Sequence, residues 1–223
     1  MGRKCVLHFN ALAWILCVAF RIFSEKKQQV ERDSQMKKSA LLLIDVQKGF
    51  DLPLWGARNN PEAEPNIARL LSAWRNQELP IIHVKHCSVS PKSPLHPDQP
   101  GNDFKDEARP LPGEPLFTKT VNSAFIGTGL EEYLQENQLN SLVIVGLTTD
   151  HCVSTSTRMA GNLGFDVTLV SDATATFERK GVNGTTYSAD QMHEINLASL
   201  HNEFCVVKST GDVLIDLGAT LKH

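Results

Sequence analysis

At 223 residues, with 41% apolar and 21% charged side chains, the chain has the size and make-up of one α/β domain, or one domain plus a tail. A formal net charge of −3, with no basic stripe, leaves no electrostatic footprint for nucleic acid. Cys5, Cys17, Cys87, Cys152 and Cys205 are odd in number and form no CxxC pair, which suggests neither a zinc knuckle nor a disulfide framework and points to a reducing, cytoplasmic compartment.

Residues 1–35 differ from the remainder. "MGRK" gives a basic start, and "CVLHFNALAWILCVAF" is an apolar run broken by His8 and Asn10. It is shorter than the roughly 20 residues a membrane helix needs. No A-x-A-like cleavage site follows, as a signal peptide requires, and Val6 breaks the myristoylation pattern. Three readings stand: translation from Met36, a membrane anchor, or a disordered tail. A membrane partner is not expected. The division is therefore an N-terminal extension over 1–35 and a domain over 36–223.

From residue 40 the pattern is regular. "ALLLID" (40–45) is a continuous apolar run ending in an acid, as a strand buried on both faces would be. "EAEPNIARLLSAWRNQ" (62–77) has helical apolar spacing, and "PIIHVKH" (80–86) is a second buried strand. "GTGLEEYLQENQL" (127–139) reads as a helix with Thr128 as its N-cap. "SLVIVGL" (141–147) is a strand, and "CVSTSTRMAGNLG" after it reads as a helix ending at Gly164. "FDVTLVSDA" (165–173), "SADQMHEINLASLH" (188–201) and "EFCVVKS" (203–209) add strand, helix and strand. Alternation of this kind predicts a three-layer α/β/α fold around a parallel sheet of about six strands. Two connections, 50–61 and the proline-rich 87–119, are longer than such units need, and long irregular segments build or cover binding sites.

Sites in open parallel sheets lie beyond the carboxyl ends of the strands, which selects Asp45, His86, the segment from Leu147 to Cys152, and Asp172. Cys152 stands where a strand passes into a helix. Backbone N–H groups and the helix dipole there favour thiolate and can hold an oxyanion. A small buried residue is the alternative reading of any free cysteine, and Cys87 and Cys205 fit it better. Asp45 is a turn former unless it reaches the same sheet edge, where a carboxylate can take a thiol proton and return it to a leaving amine. Lys119 is a surface charge unless it stands beside those two, where its cation would keep Asp45 ionised and lower the cysteine's pKa.

"LLLIDVQKGF", "TKTVNSAF" and "VIVGLTTDHCVSTSTRMAGNLGFDVTLVSDATATF" together resemble the isochorismatase-like cysteine hydrolases, over residues 40 to about 212. The resemblance implies a triad of Asp45, Lys119 and Cys152, a non-proline cis peptide at Leu147–Thr148, and an oxyanion hole made by the backbone N–H groups of Thr148 and Cys152. It also implies a homo-oligomer, dimer or tetramer. True isochorismatases generally lack the cysteine, so its presence favours cleavage of a C–N bond in a small amide through a thioester. An ether hydrolase and a non-catalytic interaction relative are the alternatives. Nicotinamidases bind a metal through an Asp-x-His pair and a further His. Here Asp51 is present, but no D-x-H follows the second strand, and His83 and His86, three apart on a strand, face opposite ways. No metal and no cofactor are therefore expected. Trp55, Phe125 and Phe177 are candidate apolar walls for the substrate, or plain packing, and His86 is a candidate polar contact.

Overall fold

The computed structural model describes residue 21 and residues 39–218. The readings made for residues 1–35 lie outside the described residues, Arg21 apart. In chain order the elements are β1 (Ala40–Ile44), α1 (Ala63–Asn76), β2 (Ile81–His86), β3 (Leu116–Lys119), α2 (Leu130–Glu136), β4 (Ser141–Leu147), α3 (Ser154–Asn162), β5 (Asp166–Ala175), β6 (Arg179–Lys180), β7 (Thr186–Tyr187), α4 (Ala189–Leu200), β8 (Val206–Lys208) and α5 (Thr210–Asp216). Six strands form one sheet in the order β3-β2-β1-β4-β5-β8, every pair parallel, and β6 and β7 form a small antiparallel hairpin.

The apolar strands are covered on both faces because successive side chains alternate across a sheet. Leu42, Ile44, Ile82, Leu142, Ile144 and Leu169 enter one core cluster, against α2, α3 and α4. Leu41, Leu43, Ile81, Val143, Val145 and Val170 enter the other, where α1 and α5 pack. Helix α1 shows why it docks there. Ile67, Leu70, Leu71 and Trp74 recur at helical spacing and are all at most 1% exposed. Burial of each such side chain is worth about 1.5–3 kcal/mol. The Trp74 indole N–H is not lost in that core, since it donates to Ser39 O at 3.0 Å.

Three differences from the sequence reading have local causes. Residues 116–119, read as the end of a long connection, form β3, whose N–H and C=O groups find partners along β2. Helix α2 begins after Gly129 in a left-handed conformation (φ 72°), and the Thr128 hydroxyl accepts the Leu130 N–H at 3.2 Å from one position further out than an N-cap. Asp172 is taken up by the fold. Its Oδ1 accepts from both the N–H and the hydroxyl of Thr210, each at 2.7 Å, and so ties β5 to the start of α5, a helix the sequence reading lacks.

Candidate active site

Strand order reverses between β1 and β4, and the crevice beyond that switch point is where chain ends leave room for a ligand. Asp45 leaves β1 with φ 51°, in the left-handed region, and its side chain has no solvent exposure. Lys119 closes β3 and is equally buried. A buried ammonium needs its donors satisfied. Lys119 Nζ lies 2.6 Å from Asp45 Oδ2, 3.1 Å from His86 Nδ1 and 3.2 Å from Val121 O, so all three N–H bonds have acceptors. An ammonium only donates, so His86 Nδ1 accepts, and its Nε2 carries the ring proton. Burial, reinforced by the Lys119 charge, holds the His86 pKa down and the ring neutral.

The peptide between Leu147 and Thr148 is cis, and Thr149–Val153 then form one π-helical turn running into α3. Val153 N–H closes that turn on Thr148 O at 3.2 Å. Cys152 sits inside it, 8% exposed. Its Sγ, a carboxylate oxygen of Asp45 and a ring nitrogen of His86 lie within 4.8 Å of one another. Asn122 Oδ1 is 3.8 Å from Sγ. Asp45 Oδ1 has no hydrogen-bond partner among the described residues, an unusual state for a buried carboxylate oxygen.

The electrostatics correct one expectation. Burial and then the Asp45 charge push the Cys152 thiol well above its ordinary pKa, and the opposing pull of Lys119 is smaller. These neighbours favour the thiol over the thiolate at rest. Burial also raises the Asp45 pKa, against the lowering effect of Lys119.

Asp45, His86 and Cys152 have a spacing that a metal ion could bridge. Lys119 Nζ already draws on Asp45 Oδ2 and His86 Nδ1, which sets a buried positive charge beside the remaining donors, Asp45 Oδ1 and His86 Nε2, and opposes a second cation there. Asp51 is likewise claimed: Lys105 Nζ pairs with it and, at 2.6 Å, with Glu64, which also takes Arg58. His83 points away from this centre, to Glu114 Oε2 at 2.8 Å.

A cleft of about 160 Å³ opens over Cys152. Phe50 and Trp55 from the first long connection line it, with Ser93 and Leu95 from the second. Trp55 is fixed by its N–H on Gly49 O at 2.7 Å and by Phe50 and Phe177, at 5.4 and 6.0 Å between ring centroids. His86, Asn122, Thr148, His151 and Arg179 complete the lining. Trp55 and His86 thus reach the cleft. Phe177, 2% exposed, backs Trp55 without lining it. Phe125 is elsewhere, stacked on Phe165 at 5.9 Å against the core. Sequence reasoning missed Phe50, Asn122, His151 and Arg179. Asn122 and His151 were inside quoted motifs, whereas Arg179 carried no periodic signal. It also missed Asp150, whose carboxylate accepts from Thr148 Oγ1 at 2.9 Å, from Thr176 Oγ1 and from Arg179 Nε at 2.8 Å. Burial acts to raise the Asp150 pKa, but the Thr176 hydrogen bond and the His151 and Arg179 charges outweigh it, so the carboxyl stays ionised.

A family model described as the isochorismatase domain matches residues 39–212. The isochorismatase family protein YrdC of Bacillus subtilis (strain 168) is 49% identical over 180 residues, covering 81% of this chain and 96% of its own. A crystal structure of an isochorismatase-family protein from Chromobacterium violaceum is 48% identical with a TM-score of 0.80, over 82% of this chain and 94% of that one. Nicotinamidase 3 of Arabidopsis thaliana is 25% identical over 190 residues, 79% of this chain and 87% of its own.

Proposed function

Because the chain belongs to the isochorismatase family, whose members are hydrolases, we propose that it cleaves a C–N bond, amide or ureido-type, of a small molecule through a thioester on Cys152. One observation carries this reading: a thiol, a carboxylate with one unpartnered oxygen and a fully buried ammonium meet beneath one cleft. The likeness to an amidase supports the choice of bond.

The cycle needs only these groups and water. Asp45 takes the thiol proton as Sγ attacks the carbonyl carbon, so the negative charge passes from carboxylate to sulfur to carbonyl oxygen. The N–H groups of Thr148 and Cys152 receive that oxyanion. As the C–N bond breaks, Asp45 returns the proton to the departing nitrogen, leaving a thioester. Asp45 then takes a proton from water, whose oxygen attacks the thioester. When the C–S bond breaks the proton goes back to sulfur, restoring the thiol. Lys119 holds Asp45 in place and favours its ionised form between steps. The His86 Nε2–H serves as a donor to the bound substrate.

The test is ammonia release from a panel of small amides and ureides. Cys152→Ala and Cys152→Ser are expected to lose roughly 10³-fold or more in kcat/KM while keeping the wild-type circular dichroism. Turnover within tenfold of wild type in either variant would overturn the covalent route.

A further inference from the structure

Resting on the C–N hydrolase reading, we propose that the substrate is an anion: a small amide or ureide that also carries a carboxylate, held by Arg179 on the open side of the cleft. No residue lining the cleft is acidic. The Asp45 and Asp150 carboxylates, close to the cleft, each face a cation. Asp45 lies buried on Lys119, and Asp150, its side chain 3% exposed, already accepts from Thr148, Thr176 and Arg179. Arg179 and His151 remain reachable, with side chains 25% and 56% exposed.

The way Arg179 meets Asp150 is the decisive detail. Arg58 places both ends of its fork on Glu64 at 2.8 and 2.6 Å, and Arg75 does the same on Glu114 at 2.8 and 3.0 Å. In both of these pairs the two bonds to the carboxylate are short. Arg179 instead makes one short bond, from Nε at 2.8 Å, while its Nη contacts to Asp150 Oδ1 and Glu178 O are long, 3.4 Å each. A guanidinium has five N–H bonds in one plane. Asp150 therefore anchors the head by its inner side and leaves Nη hydrogens for a second planar acceptor, with little rotamer freedom still to lose on binding. The apolar surface of Phe50, Trp55 and Leu95 supplies contact for a short carbon skeleton between carboxylate and amide. A chain of net charge −3 has no overall field to gather anions, so recognition falls to Arg179.

The experiment compares succinamic acid with succinamide, and N-carbamoylglycine with its amide, in wild type, Arg179→Gln and Arg179→Lys. In parallel, succinate or succinamide is used to protect Cys152 from iodoacetamide, read by peptide mass spectrometry. Wild type is expected to favour each acid over its neutral partner at least tenfold in kcat/KM. That ratio should collapse towards one in Arg179→Gln, mainly through KM, and recover in part in Arg179→Lys. Succinate should protect better than succinamide, and only while Arg179 is present. A role for Arg179 in bracing Asp150 alone would lower both partners of each pair together and leave the ratio unchanged. Neutral amides turned over as well as acids, with no Arg179-dependent protection, would overturn the anion subsite and leave the hydrolase reading standing. Arg179-dependent protection with no amide or ureide hydrolysed would do the reverse.

Discussion

Asp45 has one oxygen on the Lys119 ammonium and the other without a partner in a closed space, so the residue is poised to exchange a proton and little else. The pH behaviour follows from its neighbours. Lys119 lowers the Asp45 pKa against a larger raising effect of burial, so the acid limb of kcat/KM should lie above the ordinary carboxylate value of 3.8. Lys119→Met removes the lowering effect, and that limb should move to higher pH in whatever activity remains. The Cys152 alkylation midpoint should rise with it, since Lys119 also pulls the thiol down. Asp45→Asn has the opposite sign for the thiol, because it removes the negative charge that follows burial as the cause of the raised pKa. Profiles of kcat/KM and of alkylation rate against pH for the three proteins check all of this; a midpoint that rises in Asp45→Asn would show that the carboxylate does not face the sulfur. At this scale the sequence announced residues at strand ends, where topology alone says which way they face. Asn122 and Arg179 were not legible, because Asn122 lies on an irregular segment and Arg179 on a strand of two residues, too short to show a pattern.

Strand β4 brings the turn that carries Cys152 to its place, and one glycine lets it run there. Gly146 has φ 123° at a register shift between β4 and β5, and a Cβ built on it would stand 2.0 Å from Ile44 O in the neighbouring strand. That is backbone against backbone, with no side chain to yield. Gly146→Ala should cost about 3 kcal/mol or more, a fall of roughly 6–12 °C in melting temperature. Gly113→Ala is the control: its φ is also positive, 94°, but nothing lies within 4 Å of the added carbon. Equal melting temperatures for the two variants would refute the account. The central strands were legible because burial on both faces makes them unbroken apolar runs. β3 was hidden by its alternating exposure and its place at the end of a proline-rich stretch, and α5 by following β8 with one residue between them.

The match to the family spans residues 39–212, and the sheet begins at Ala40. A chain started at Met36 carries every described strand and every described helix that packs on the sheet. It is expected to be soluble, with the melting temperature and turnover of the full chain; loss of either would assign residues 1–35 a part in the fold. No described helix is long and apolar enough to cross a membrane. The three-layer architecture was legible as a whole because it follows from the order of elements. The aromatic wall at Phe50 and Trp55 was only half so, since a loop's path is set by the surface it crosses.

The cation of the candidate triad rides on a strand of four residues at the rim of the sheet, bonded to β2 on one side, with only Lys119 of the four buried. Edge segments open at lower free energy than the interior of a domain. The protein should therefore have a dormant state, folded by every optical measure but with its lysine withdrawn and its thiol unassisted. In a urea series, turnover should fade before the far-ultraviolet signal does, and dilution should restore it faster than global refolding allows. Coincident midpoints would mean that β3 is as firmly held as the core it borders.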